Sequence, residues 1–156
     1  MGTNHETLSS MEAMVPLMTE ALARGCSVRF SPKGISMLPM LREGRDSVVL
    51  SPVSGGLRKY DIPLYRRDDG QYVLHRIIAM GDTYTCMGDN QFQPENGIRP
   101  DQIIGVVTAF YREDRQIPVT NPGYRSYCCL WHYTRCLRHF CRRAIGWLRR
   151  HGLLAK

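Results

Sequence analysis

Six short runs of β-favouring residues, each followed by a turn rich in glycine, proline or aspartate, occupy the middle of the chain. They cover residues 26–31, 46–51, 61–66, 71–79, 83–87 and 102–111. Runs of this length between turn residues are typical of strands joined by short connections. A chain of 156 residues, 43% of them hydrophobic, can bury one core between such strands. The pattern predicts a mainly β protein with a coiled antiparallel fold.

The two ends of the chain have helical periodicity. Residues 7–24 repeat apolar side chains at helical spacing, and Pro16 within them predicts a kink or a break. This segment is too short and too charged to span a bilayer, and it lacks the features of a secretory signal. We therefore expect an N-terminal amphipathic helix in 1–25, a β-rich domain in 26–112, and a linker with a basic amphipathic helix in 113–156.

The C-terminal segment combines apolar residues at helical spacing with many arginines. Trp147 and Phe140 belong to its apolar side, and most of the net charge of +7 is concentrated there. A basic amphipathic helix of this kind either lies on an anionic membrane surface or packs on the β-domain with its basic face in solvent, and both alternatives stay open. Nucleic acid binding is not expected, because no recognised motif accompanies the arginines.

The cysteines provide evidence about the cellular compartment of the protein and about metal binding. Four of the six cysteines and two nearby histidines lie close together in the C-terminal segment: Cys128, Cys129, His132, Cys136, His139 and Cys141. The spacing fits a zinc site poorly, so we assign no metal, although one helix face would hold three of these residues together. Without an export signal the thiols should be reduced, and we expect a cytoplasmic protein, with peripheral contact to the inner membrane face as the alternative for the basic helix.

Three segments carry the residues that could perform chemistry. They are the GISMLP segment at 34–39, the YVLHRII segment at 72–78 and the Gly-Asp-Asn turn at 88–90. They supply Ser36, His75 and Asp89, in that chain order. A serine hydroxyl is a poor nucleophile unless a base lies within hydrogen-bonding reach and a further group orients that base.

Each of these residues has an ordinary interpretation when taken alone. Ser36 lies between glycine and proline as turn serines do, His75 would fit a half-buried strand, and Asp89 follows a glycine in a turn. Arg76, the neighbour of His75, should point to the opposite face of the sheet, because successive strand residues alternate. Taken jointly and in order, the three residues favour the catalytic interpretation.

The segments around these residues resemble those of one family. The strings GISMLPMLREGRDSVVL, DIPLYRRDDGQYVLHRIIAM, CMGDNQFQPENGI and IIGVVTAF are similar, in that order, to the sequence boxes of the signal peptidase I superfamily of serine peptidases. The resemblance covers roughly residues 28–110. It implies the coiled antiparallel β-fold of signal peptidases and self-cleaving repressors.

The resemblance also implies roles for individual residues. Many members have a lysine where this chain has His75, so the chain resembles the Ser-His variant of the endoplasmic-reticulum and archaeal branch. Ser36 would be the nucleophile and His75 the general base. Asp89 matches the aspartate of the third box, while Glu95 occupies the place of a further acid; either could orient the imidazole, and we prefer Asp89.

The same resemblance bears on substrate and cofactor. We assign Met37 and Pro39, which follow the nucleophile in its motif, to substrate binding. The substrate pockets would favour small residues such as alanine before the scissile bond. The mechanism needs no metal and no organic cofactor, and the expected partner is a peptide or protein added as a strand at a sheet edge.

The chain departs from the family pattern at three places. Arg45 interrupts the usual Gly-Asp pair after the nucleophile. Tyr60-Asp61-Ile62-Pro63 replaces the usual Gly-Asp-Ile-Val at the start of the second box, and Pro63 predicts an edge or a bulge in that strand because proline cannot donate a ladder hydrogen bond. Gly34 replaces a hydroxyl residue that helps to stabilise the oxyanion in many relatives, so reduced activity is an expected consequence.

These observations favour a serine endopeptidase that cleaves a leader or precursor peptide. The alternative is a catalytically weak or inactive relative that binds peptides or a membrane surface. A self-cleaving regulator is less favoured, because we find neither a DNA-binding module before the β-domain nor an Ala-Gly or Cys-Gly cleavage site. Relatives that process exported proteins usually have a transmembrane anchor, for which the 7–24 segment is unsuited.

Overall fold

The structure is a computed structural model that describes the backbone of residues 4–150. Within that range it describes all side chains except those of residues 4–10, 12 and 149. Its elements, in chain order, are α1 (Asn4–Ala23), β1 (Val28–Phe30), β2 (Asp46–Ser51), β3 (Pro63–Arg66), β4 (Tyr72–Leu74), β5 (Arg76–Met80), β6 (Tyr84–Met87), β7 (Glu95–Ile98), β8 (Ile103–Arg112), β9 (Arg115–Pro118), α2 (Pro122–Tyr133) and α3 (Arg135–Arg150). The chain divides into two compact units after Asn121.

The larger sheet of the first unit is built around β8. It has the order β1-β2-β8-β3-β4, with β9 paired to β8 as well, and every pairing is antiparallel. Val48 and Leu50 of β2 point to the same face and are fully buried, as the period of two in a strand requires. The prediction of a mainly antiparallel β protein with flanking helices is confirmed.

The smaller sheet has the order β5-β6-β7. The predicted strand 71–79 is in fact two strands, because β4 belongs to the larger sheet and β5 to the smaller one. His75 is the single residue between them. Strands that pass from one sheet to another in this way form the corners of packed β-structures. A buried cluster that includes Tyr65, Ile77 and Cys86 fills the core where residues of the two sheets meet.

Helix α1 belongs to the first unit rather than forming a separate segment. Val15, Met18 and Leu22 lie on its buried face. The helix does not break at Pro16, since packing of that face compensates for the hydrogen bond that proline removes. Leu22 comes so close to Gly105 of β8 that a methyl group on this glycine would lie 3.1 Å from the Leu22 side chain.

Of the two alternatives predicted for the strand that contains Pro63, an edge or a bulge, the structure shows an irregular register and not an edge strand. Strand β3 lies inside the sheet, between β8 and β4. Pro63 is its first residue, and the register with β8 shifts between Leu64 and Tyr65. A proline at the start of a strand leaves the remaining ladder hydrogen bonds intact.

The second unit consists of α2 and α3 instead of one long helix. The interruption falls at Thr134, whose hydroxyl donates to the carbonyl oxygen of Leu130 at 2.7 Å. Such back-bonding by threonine commonly disturbs a helix. Within residues 4–150, we find no helix with the length and apolar character needed to cross a bilayer.

Candidate active site

The two ring nitrogens of His75 face different neighbours. His75 is buried, with 2% of its surface exposed. Its Nδ1 lies 3.1 Å from Oε1 of Glu95 and 3.3 Å from the hydroxyl of Tyr65. On the other side of the ring, a methyl group added to Gly88 would lie 3.1 Å from Nε2. The position between two sheets thus places one nitrogen against a carboxylate and the other against the Gly-Asp-Asn loop.

Ser36 begins a tight turn that runs to residue 40. Gly34, two residues before it, has a φ of +93°, a conformation that glycine adopts at little cost. The turn is closed by hydrogen bonds from the amide of Leu38 to the Ile35 carbonyl, at 3.2 Å, and from that of Leu41 to the Met37 carbonyl, at 2.9 Å. Ser36 is therefore held half-buried at the start of a defined turn.

The Gly-Asp-Asn loop holds the backbone of the Ser36 turn. The amide of Asn90 donates to the carbonyl oxygen of Ser36 at 2.9 Å, and its side-chain amide donates to the carbonyl of Ile35 at 3.1 Å. Gly88 packs so tightly that a Cβ there would lie 2.6 Å from the Ser36 carbonyl oxygen. Since this same Cβ would lie 3.1 Å from His75 Nε2, the serine turn and the imidazole meet at Gly88.

Ser36 and His75 also line one cavity of about 440 Å³. Its apolar lining includes Phe30, Leu64 and Leu74. The cavity reaches the last strand of the larger sheet, β4, and the segment that follows the first strand, β1. A concave apolar site with a few convergent polar groups is the usual form of a ligand pocket.

The two residues that we assigned to substrate binding have different positions. Met37 is buried and lines the cavity beside Ser36. Pro39 follows a cis peptide bond from Leu38 and is exposed on the surface of the turn. Met37 therefore lies in the lining of the cavity, and Pro39 lies outside that lining, on the exposed surface of the turn.

Asp89 is engaged with Arg76. The carboxylate accepts hydrogen bonds from Nε of Arg76 at 2.8 Å and from Nη2 at 2.7 Å, and both side chains are only 3% exposed. The third guanidinium nitrogen, Nη1, donates to the carbonyl oxygen of Tyr60 at 3.1 Å. A buried guanidinium requires such a carboxylate, because an unpaired charge in the interior is strongly destabilising. Our preference for Asp89 as the acid on His75 is therefore corrected.

Glu95, the alternative acid, is the carboxylate that contacts the imidazole. It also accepts a hydrogen bond from the Tyr65 hydroxyl at 2.8 Å and a two-pronged ion pair from Arg67, whose Nε lies at 2.9 Å. Burial acts to raise the pKa of Glu95, but the hydrogen bonds from His75, Arg67 and Tyr65 outweigh it and hold this pKa far below its usual range. Glu95 is thus a firmly ionised acceptor at neutral pH.

Sequence reasoning missed Tyr65 and Arg67. Burial and the neighbouring carboxylate raise the pKa of Tyr65, so its hydroxyl remains a donor. The two residues are separated by one position, and their common face could have been inferred from the period of two. Their common partner could not, because Glu95 comes from β7, a strand that the sequence pattern did not predict.

Among the side chains that the structure describes, no three from His, Cys, Asp and Glu form a group that could hold a metal ion. Comparisons of this chain with protein-family models, with curated proteins and with solved structures found no match.

Proposed function

We propose that this chain is a serine endopeptidase in which Ser36 is the nucleophile, His75 the general base and Glu95 the acid that orients the base. The observation that carries the proposal is the position of His75 between two partners. Its Nδ1 contacts a carboxylate, and its Nε2 faces the loop that holds the Ser36 turn. Ser36 and His75 further share a cavity that could receive a peptide.

The contact between Glu95 and His75 determines which nitrogen of the imidazole can accept a proton. When Nδ1–H donates to the Glu95 carboxylate, the tautomer is fixed and Nε2 keeps the lone pair that can accept a proton. Tyr65 and Arg67 hold the carboxylate from its other sides. Because the pKa of Glu95 is so low, the carboxylate stays ionised and stabilises the imidazolium that forms during the reaction.

The reaction then proceeds through an acyl-enzyme. Nε2 of His75 takes the proton of the Ser36 hydroxyl as the oxygen forms a bond to the peptide carbonyl carbon. The carbon–nitrogen bond breaks, and the imidazolium gives its proton to the departing amine. A water molecule, deprotonated by the same Nε2, attacks the ester carbonyl and releases the acyl peptide and the serine hydroxyl.

The edge of the larger sheet provides a place for the substrate. Strand β4 ends the strand order on one side and contributes Tyr72, Val73 and Leu74 to the cavity. An extended peptide laid along this edge would gain main-chain hydrogen bonds, with alternate side chains directed into apolar pockets. We propose a leader or precursor peptide as the substrate, with a small residue before the scissile bond.

The finer fold assignment belongs to the same proposal. The Ser36 turn, the sheet corner at His75 and the loop at Gly88 are the three places that the family boxes mark, and they meet at one site. This convergence supports a coiled β-fold of the signal peptidase and self-cleaving repressor type. A cytoplasmic location is proposed with it.

One observation favours the catalytically weak alternative. Gly34 has no hydroxyl to offer the oxyanion, and its amide already donates to Oε2 of Glu43 at 2.8 Å. The amide of Ser36 would then have less help in stabilising the oxyanion, and each missing donor costs roughly 10²–10³ in rate. In this alternative the cavity binds peptides with little or no turnover.

Candidate peptides incubated with the protein and analysed by intact mass test the proposal. Wild type should cleave, Ser36→Ala and His75→Ala should not, and Ser54→Ala, which changes an exposed serine, should cleave as wild type does. Cleavage that survives Ser36→Ala would eliminate the mechanism. Peptide binding without cleavage by wild type would establish the alternative.

A further inference from the structure

The two units differ sharply in charge. All 14 acidic residues of the chain precede residue 122, whereas the segment from residue 122 onward carries eight of the 21 lysines and arginines. The second unit therefore contributes more than the whole net charge of +7. A concentration of one sign on a small unit creates a local field that attracts a partner of the opposite sign.

Helix α3 also exposes the apolar side chains that its sequence places on one face. Leu137, Phe140 and Ile145 are 63%, 71% and 43% exposed, and Trp147 is about half exposed at 51%. At 100° per residue these side chains fall on one half of the helix. A monomeric protein rarely leaves a contiguous apolar surface of this kind in water, unless it serves binding.

The arginines of α3 occupy the other half and the flanks of this apolar face. Arg143 and Arg150 are exposed. Arg138, nearer the apolar side, lies over the ring of Trp131 in α2 at 3.5 Å from the ring centroid. Helix α3 has 16 residues and is roughly 24 Å long, less than the thickness of a bilayer core.

We propose that α3 binds an anionic bilayer surface, lying in the plane of the interface. Its apolar face enters the boundary between headgroups and acyl chains, and its arginines contact the acidic headgroups. Tryptophan at the edge of the apolar face suits this boundary, which accepts an apolar body with a polar N–H. This activity is separate from the proposed peptidase reaction.

The charge pattern selects this occupant over two others. A second copy of α3 would cover the apolar face but would bring arginine against arginine, with no acidic residue in either second unit to offset the repulsion. A nucleic acid would match the charge but would leave the apolar face in water. An anionic bilayer matches both halves of the helix.

Vesicle co-sedimentation of the full chain tests the surface. Vesicles of phosphatidylcholine and phosphatidylglycerol in equal parts should retain wild type, and vesicles of phosphatidylcholine alone should retain much less. Each basic residue at such a surface contributes roughly fivefold to the partition coefficient. The double variant Arg143→Glu/Arg150→Glu should therefore bind more than tenfold more weakly, while Arg58→Glu/Arg115→Glu, with the same charge change on the first unit, should bind nearly as wild type does.

A second pair of variants tests the apolar half. Phe140→Ala/Trp147→Ala should lose binding to the anionic vesicles, whereas Leu17→Ala/Val53→Ala, which removes exposed apolar groups of the first unit, should not. Circular dichroism verifies that each variant folds. Equal retention by both kinds of vesicle, or equal binding by the α3 variants and their controls, overturns the proposal. A dimer in solution that Phe140→Ala/Trp147→Ala dissolves would also overturn it and identify a second copy as the occupant.

Tryptophan fluorescence gives an independent readout. The chain has two tryptophans, so Trp131→Phe leaves Trp147 as the single reporter on the apolar face. Its emission should shift to the blue with anionic vesicles and stay unchanged with neutral ones. Unchanged emission in the presence of anionic vesicles that retain the protein would place Trp147 outside the bilayer and contradict the proposed orientation.

Discussion

Asp89 and Glu95 stand near the two ends of the loop that joins β6 to β7, and their surroundings differ in kind. Asp89 is almost fully buried and is paired with the guanidinium of Arg76. Glu95 is partly exposed, with 22% of its side chain accessible, and is shared among His75, Tyr65 and Arg67. The Asp89 carboxylate binds the loop to the buried Arg76, and the Glu95 carboxylate contacts the imidazole of His75.

The difference shows that a carboxylate close to a histidine in the chain order need not be its partner. Asp89 is already paired with Arg76, the residue that follows His75, so we expect it to affect the proposed base only through the position of the loop. Glu95 reaches His75 because β6 and β7 are paired, which returns the chain to the corner at residue 75. We therefore expect substitutions of the two acids to have different consequences, one mainly on folding and the other mainly on rate.

The largest effects are expected when each acid is replaced by its amide. Asp89→Asn should lower the free energy of unfolding by about 3–5 kcal/mol, because the buried charge of Arg76 loses its counter-ion. Glu95→Gln should lower the peptidase rate by roughly 10³–10⁴-fold, because the tautomer of His75 is no longer fixed. Urea denaturation and peptide cleavage by the folded protein measure the two quantities.

The comparison breaks if the two variants exchange their effects. A fully stable Asp89→Asn protein with the rate loss expected for Glu95→Gln would make Asp89 the orienting acid. Asp82→Asn provides a matched control, because this aspartate is exposed in a turn. It should leave both the stability and the rate near those of wild type.

Gly88→Ala tests how closely the loop sets the serine against the imidazole. The added methyl group would lie 2.6 Å from the Ser36 carbonyl oxygen, so the turn, the ring or the loop must move. We expect a loss of about 1–3 kcal/mol of stability and roughly a 10²-fold lower rate, since small misplacements of reacting groups have effects of this size. Gly81→Ala, whose new methyl group would have its nearest neighbour at 3.9 Å, should change neither quantity.

Tyr65→Phe, which removes a hydrogen-bond donor to Glu95, should lower the free energy of unfolding by a smaller amount. This change removes a buried hydroxyl that donates to the carboxylate at 2.8 Å, and a hydrogen bond to a charged group contributes about 1.5–3 kcal/mol. Tyr111→Phe is the matched control, because its hydroxyl donates to the uncharged side chain of Gln116 at an exposed position. Equal urea midpoints for the two variants would show that Tyr65 does not hold Glu95.

The smallest expected effect is on the free energy of unfolding at acidic pH. The pKa of Glu95 is lowered in the folded protein, so its contribution is fully present above its unfolded value, 4.5, and is lost as the pH falls through the lower folded value. The difference in unfolding free energy between wild type and Glu95→Gln should therefore shrink below pH 4.5. A difference that stays constant down to about pH 3 would contradict the ion pair with Arg67 and His75.

The strands of the fold could be predicted from sequence where their residues alternate or are continuously apolar. β2 has the predicted bounds, and β8 differs from its predicted run by one residue at each end. β7 and β9 were missed, because Glu95–Ile98 contains Gly97 and Arg115–Pro118 is short and polar. The division of residues 71–79 at His75 was also missed, since both new strands keep the apolar character of one.

The candidate site could be predicted only as far as its chain segments. Turn chemistry marked Gly34 and the Gly-Asp-Asn loop, and the loop does contact the Ser36 turn through Asn90. The direction of each side chain depends on which strands pair. Strand pairing also decides that Glu95, and not Asp89, contacts His75. No residue near either acid in the sequence indicates this choice.

The most direct test of the central claim is labelling of the full chain with a fluorophosphonate, which reacts with an activated serine without requiring a known substrate. Intact mass and peptide mapping should find one adduct, on Ser36, that Ser36→Ala abolishes and His75→Ala strongly slows, while Ser54→Ala labels as wild type does. The absence of an adduct on wild type, or an adduct that persists in Ser36→Ala, would contradict the account.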